Sequence, residues 1–253
     1  MSTWTADDGS EMYFEMFGGR DQEKPVLLLL PGLLGTISSQ WRNFVKALTP
    51  DFRLMLMDLR GHGRSQNKAN TLSTDRMLAD VVGLLDYVQI PEVHVAGYSL
   101  GGYLGLMMSL AYPRRVHTLL MHASKFYWTP EAVKGFQAQL NPDVMAEKVP
   151  AYANQLVQEH GARQWRELVR QAGVLTAEMA QSGLKENQLK NVQCPVLVSV
   201  GERDELVPLP EAQRLSRILP KGELIVLPGV RHPYATLQQI PLLPMMQHFH
   251  KER

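Results

Sequence analysis

The sequence predicts an α/β fold: a mostly parallel sheet with helices on both faces, interrupted by a small helical insertion. Three observations carry this. Short apolar runs bounded by turn residues alternate with segments of helical spacing, the pattern of parallel strands joined by crossover helices. One run, Val26-Leu27-Leu28-Leu29-Leu30, has no polar face, as a strand covered on both sides requires. The alternation then stops between about Ser124 and Asn191, a strand-poor stretch of helical pattern with prolines at 130, 142 and 150.

Each element follows in order. Asp8-Gly9 reads as a hairpin turn leading into a strand from Met12 to Phe17. After the Val26–Leu30 strand, helical spacing appears at Trp41, Phe44, Val45 and Leu48. Phe52 to Met57 is a strand, and Asp58 to Ala69 is a polar loop. Met77, Leu78, Val81, Leu84, Leu85 and Val88 share one helix face. Val93 to Ala96 is the next strand, Gly101 to Ala111 a helix stopped at Tyr112-Pro113, and Val116 to Met121 a strand. Past the insertion come a strand at Pro195 to Val200, a helix at Glu211 to Leu219, a strand at Glu223 to Leu227 and a last helix from about Thr236. The expected division is a core of residues 1–123 and 191–253, with a helical cap at 124–190. There is no internal repeat and no low-complexity segment.

A chain of 253 residues suits one such domain with an insertion. Lys plus Arg number 26 against 25 Asp plus Glu, and no basic cluster stands out, which argues against a nucleic-acid partner. The one cysteine, Cys194, excludes an intrachain disulfide and fits a reducing compartment; it reads as a small buried residue at a strand start. The first nine residues lack the features of a signal peptide, and no apolar run is long enough for a membrane span. The expectation is a cytoplasmic protein acting on a small molecule, with its oligomeric state open.

The chemistry centres on Val93-His94-Val95-Ala96-Gly97-Tyr98-Ser99-Leu100-Gly101-Gly102. A Gly-x-Ser-x-Gly pattern between a strand and a helix is a nucleophile elbow, a sharp turn that lifts the serine hydroxyl clear of the backbone. Gly97 and Gly101 avoid a Cβ where the turn is tightest, and Ser99 is expected to be strained. A serine hydroxyl needs a base, and the base needs an orienting acid. On sheets of this type the acid and then the histidine follow the serine along the chain. The loop Gly201-Glu202-Arg203-Asp204 offers the acid, as Glu202 or Asp204, and Pro228-Gly229-Val230-Arg231-His232-Pro233 offers the base, His232. His62 is the rival histidine, but it lies upstream of the serine and reads as a turn-holding residue. An oxyanion needs two preorganised N–H donors. Leu100, at the helix start, supplies one. Pro31 has no N–H and Gly32 permits close approach, so Leu33 supplies the other.

Taken together, Pro31-Gly32-Leu33, Asp58-Leu59-Arg60-Gly61-His62-Gly63-Arg64-Ser65, Gly97-Tyr98-Ser99-Leu100-Gly101-Gly102, Gly201-Glu202-Arg203-Asp204 and Gly229-Val230-Arg231-His232-Pro233 resemble the α/β-hydrolase family. The resemblance implies an eight-stranded sheet and a serine-hydrolase triad, and it assigns the acid to Asp204. Many members carry a histidine where this chain has Pro31. The segment Lys125-Phe126-Tyr127-Trp128, with Leu140-Asn141-Pro142 and Glu147-Lys148-Val149-Pro150, resembles a subgroup of bacterial hydrolases.

Phe126, Tyr127, Trp128, Tyr152 and Trp165 are available as apolar pocket walls, with Tyr98 and Leu206 in the neighbouring loops. Few charges flank the motifs, which suggests a neutral or apolar acyl group. The expected activity is hydrolysis of a small carboxylic ester through an acyl-enzyme, with no cofactor and no metal. Dehalogenases of this fold use an aspartate nucleophile, so Ser99 argues against that chemistry. Two alternatives remain: a carbon–carbon lyase of menaquinone-synthesis type, although Tyr103 stands where that family carries an arginine, and a ligand receptor that keeps the triad.

Overall fold

The computed structural model describes residues 2–19, 23–69, 71–237 and 239–252; the outermost residues of the expected core, Met1 and Arg253, lie outside these. The strands are β1 (Ser2–Thr5), β2 (Glu11–Phe17), β3 (Val26–Leu30), β4 (Arg53–Met57), β5 (Val93–Tyr98), β6 (Val116–His122), β7 (Val196–Gly201) and β8 (Gly222–Leu227). They form one sheet in the order β1-β2-β4-β3-β5-β6-β7-β8, antiparallel at β1-β2 and β2-β4 and parallel beyond.

The sheet explains the unbroken apolar run of β3. Alternate residues point to opposite faces, so Val26, Leu28 and Leu30 join one core while Leu27 and Leu29 join another. The first core includes α2 (Thr74–Tyr87), α3 (Leu100–Ala111) and α8 (Leu209–Ile218); the second includes α1 (Arg42–Leu48) and α9 (Gln239–Lys251). The antiparallel edge strand β1 is not visible in the sequence. Its residues are mostly exposed, so it has no apolar alternation to read, and only Trp4 is packed against the core.

Between β6 and β7 lie α4 (Pro130–Gln139), α5 (Pro142–Lys148), α6 (Pro150–His160) and α7 (Trp165–Ser182), with no strand among the described residues. The three prolines open α4, α5 and α6 at the first helical position, where a missing N–H costs nothing. Thr129 and Asn141 cap α4 and α5 by accepting from the backbone N–H groups of Ala132 and of Asp143 and Val144. Helix α7 buries Trp165, Leu168, Val169, Ala172, Leu175, Thr176 and Met179, one continuous stripe. The last helix starts at Gln239, later than the sequence suggests, because residues 234–236 form a separate single turn.

Strand order fixes where a site can form. From β3 the chain steps to β4 on one side, then returns to β5 on the other side of β3. The loops leaving β3 and β5 therefore diverge, opening a crevice at the carboxyl ends of these neighbours.

Candidate active site

The elbow and the Pro31–Gly35 turn occupy that crevice. Ser99 has φ 49° and ψ −112°, a conformation that few non-glycine residues adopt. It is held by its N–H bonded to the His122 carbonyl at 2.8 Å and by its carbonyl accepting from Tyr103 at 3.2 Å. A Cβ on Gly97 would run into the backbone of Gly101 and Gly102, and one on Gly101 into the Leu30 carbonyl, so both positions need glycine. The elbow closes because the start of α3 is laid against the ends of β5 and β3.

Ser99, Leu33 and Leu100 line one cavity with Tyr103, Lys125, Trp128, Phe136, Thr176, Met179 and Leu206. The turn hydrogen bonds among the described residues leave the N–H groups of Leu33 and Leu100 unused. The Leu33 turn is itself fixed from several sides. Gln40 accepts from the Gly32 N–H at 2.7 Å, and Trp41 donates to the Leu30 carbonyl at 2.9 Å. Leu34 takes φ 61°, and its carbonyl accepts from His160 Nε2 at 3.0 Å. His160 Nδ1 accepts from the Gly63 N–H at 2.8 Å, so the ring is neutral there; burial also depresses its pKa. Asp58 is fully buried and accepts from Ile37 N–H at 2.8 Å and Arg64 N–H at 3.0 Å.

Asp204 and His232 meet across the β7 and β8 loops. His232 Nδ1 donates to Asp204, with its two oxygens at 3.1 and 3.0 Å. Asp204 Oδ1 also accepts from the N–H groups of Leu206 and Val207 at 2.9 and 2.8 Å, which fixes the carboxylate. Glu202, the other acid of that loop, accepts instead from the Gly229 N–H at 2.9 Å. Tyr98 ties the pair to the elbow: its hydroxyl donates to the His232 carbonyl at 2.7 Å, and the two rings lie 5.8 Å apart. Burial, reinforced by the Asp204 charge, pushes the Tyr98 hydroxyl far above its ordinary value. Behind Tyr98, His122 is fully enclosed, bonded to Ser199 Oγ at 2.9 Å, and its pKa is lowered to about 4 by burial. His62 is also fully buried and donates from Nδ1 to the Arg60 carbonyl at 2.9 Å, a turn-holding contact. Burial raises Cys194 to about 11, which leaves it a protonated thiol at neutral pH.

The remaining pocket residues separate. Trp128 and Leu206 line the Ser99 cavity. Phe126 and Tyr127 line a neighbouring cavity between β6, β7 and α8. Trp165 is buried in the main core, and Tyr98 stands behind Ser99 rather than in its cavity wall. Tyr152 lies on α6 and is 39% exposed. Sequence reading overlooks Lys125. It is 6% exposed in the cavity wall, and its ammonium donates to both oxygens of Glu211 at 2.9 and 2.8 Å. The signal was present, since a lysine among Ser124, Phe126 and Tyr127 at a strand end is an unusual place for a charge.

The structure thus places a strained serine at a strand-to-helix turn over a mostly parallel sheet, and a histidine–carboxylate pair in the loops after β7 and β8, with Tyr98 linking the two. The family described as "alpha/beta hydrolase fold" matches residues 25–164. RutD of Caulobacter sp. (strain K31), which bears the name of a carbamate hydrolase, is 30% identical over 88% of this chain and 89% of its own length. The pimeloyl-[acyl-carrier protein] methyl ester esterase of Pectobacterium atrosepticum is 30% identical over 85% of this chain and 92% of that protein. Among solved structures, a thermophilic esterase from Thermogutta terrifontis superposes with a TM-score of 0.81 at 22% identity, covering 100% of this chain and 99% of that one. The chain belongs to the α/β-hydrolase-fold family, and it is a hydrolase. No helix among the described residues is long and apolar enough to cross a membrane.

Proposed function

We propose that the chain hydrolyses small carboxylic esters through a Ser99 acyl-enzyme, with His232 as base, Asp204 as its orienting acid and the Leu33 and Leu100 N–H groups as the oxyanion hole. One observation carries the reading: a single cavity joins Ser99 to two backbone turns whose N–H groups are unused. Because the His232 Nδ1–H donates a hydrogen bond to Asp204, Nε2 is the nitrogen left to accept a proton. Ser99 Oγ attacks the ester carbonyl carbon as Nε2 takes the hydroxyl proton. The carbonyl π pair moves to oxygen, where the two N–H groups stabilise the charge. Collapse breaks the ester C–O bond, and the proton on Nε2 leaves with the alcohol. Water then repeats the sequence on the acyl-enzyme and frees the acid.

In this reading residues 124–190 form the cap over the core of 1–123 and 191–253, and the substrate enters the cavity between them. The lyase alternative is less well supported, since the Tyr103 hydroxyl at the critical position already accepts from the Leu184 N–H at 2.8 Å. Ser99→Ala tests the assignment. Turnover of p-nitrophenyl esters should fall by about a thousandfold or more with the melting temperature kept. A fluorophosphonate probe should label the wild type and not the variant. Retained turnover, or labelling elsewhere, overturns the nucleophile assignment.

A further inference from the structure

Two side chains that line the Ser99 cavity, Lys125 and Trp128, carry buried donors that the hydrolytic chemistry does not use. The Lys125 ammonium has three N–H groups, and Glu211 takes two of them, leaving one. The indole Nε1–H of Trp128 is buried and has no hydrogen-bond partner among the described residues. Both side chains line the cavity beside Ser99, and most of the remaining wall is apolar: Leu33, Leu100, Phe136 and Met179. A buried donor without an acceptor is destabilising, so a donor left open in a binding cavity calls for an acceptor on the ligand.

We propose that Lys125 and Trp128 form a second donor site in this cavity, selecting esters that carry another, uncharged acceptor oxygen, such as a ketone or amide carbonyl. The proposal rests on the esterase reading and deepens it. Charge balance decides for an uncharged oxygen. Glu211 already neutralises Lys125, and Glu211 is itself only 25% exposed. A substrate carboxylate would place two anions on one ammonium away from bulk water, where their repulsion is weakly screened. A carbonyl oxygen takes the remaining Lys125 N–H, the Trp128 N–H, or both without adding charge. This refines the neutral or apolar acyl group expected from sequence: neutral, but not wholly apolar.

The test compares kcat/KM for p-nitrophenyl 3-oxobutanoate, 4-oxopentanoate and 5-oxohexanoate with their counterparts in which a methyl branch replaces the ketone oxygen. At least one oxo ester should be preferred by ten- to a hundredfold, and p-nitrophenyl hemisuccinate should be a poor substrate. The preference should fall toward unity in Trp128→Phe, which keeps a ring and removes the N–H. It should fall likewise in the double variant Lys125→Met, Glu211→Gln, which leaves no unpaired charge. The readout is the ratio between paired esters, which a purely structural tether between Lys125 and α8 would not alter. A ratio near one across the wild-type series, an unchanged ratio in both variants, or a preference for the hemisuccinate overturns the proposal. If no ester is cleaved in a Ser99-dependent way, the esterase reading fails separately. The donor site is then read by calorimetric titration of Ser99→Ala with methyl 4-oxopentanoate and methyl 4-methylpentanoate. Tenfold tighter binding of the oxo ester supports the site, and equal binding refutes it.

Discussion

Lowering the pH from 7.5 to 5 should remove a large part of this protein's stability, through histidines buried in the neutral form. Burial lowers His62 to about 3, and His94 and His122 to about 4. In the unfolded chain an ordinary histidine titrates near about 6.5. Between those values the unfolded state takes up protons that the folded state refuses. Stability therefore rises with pH through this window: the contribution is fully present above about 6.5 and is lost as pH falls toward 4. Each pH unit is worth about 1.4 kcal/mol per group, so each of the three loses about 2 kcal/mol by pH 5. Together that is about 6 kcal/mol, against a total of roughly 5–15 for a typical protein. His160 and His250 are depressed by burial as well and act in the same direction. Asp8, Glu15 and Asp51 are held low by ion pairs and hydrogen bonds, so their loss comes only below the window. Urea unfolding followed by tryptophan fluorescence at the two pH values measures the effect. With a slope of about 2–3 kcal/mol/M, the midpoint should fall by about 2 M or more. A shift below about 0.5 M would show that these rings are not held neutral, and the reasoning would fail. His122→Asn should shrink the shift by about a third.

Asp58→Ala removes the acceptor of the Ile37 and Arg64 N–H groups, and at about 1.5–3 kcal/mol for each hydrogen bond to a charged group the melting temperature should drop by on the order of 10 °C. Tyr98→Phe releases the His232 carbonyl, and should lower stability by about 1 kcal/mol while reducing kcat. An unchanged kcat would detach the Tyr98 contact from catalysis. His160→Phe deletes the bonds to Gly63 and Leu34 that set the Leu33 turn; if the turn positions an oxyanion donor, kcat should fall up to a hundredfold with KM little changed. A change confined to the melting curve would make His160 a purely structural link.

Much of the fold was legible because local rules and tertiary structure agree. Val26–Leu30 is apolar at every position because the sheet is covered on both faces, and the alternating strands and helices belong to one parallel sheet. Gly97, Ser99 and Gly101 mark a turn so constrained that few residue types can build it, and the turn is therefore visible in sequence. What lay beyond the sequence depends on residues distant along the chain. Strand β1 has too little buried surface to leave a pattern. His160 reaches Leu34 across 126 positions, and Lys125 reaches Glu211 across 86. Hydrophobic period reports which face of an element is buried, not which element covers it. Only the tertiary structure could decide that Trp128 lines the Ser99 cavity while Trp165 is spent in the core, because which aromatic side chain is covered depends on the elements packed against it, which are distant along the chain.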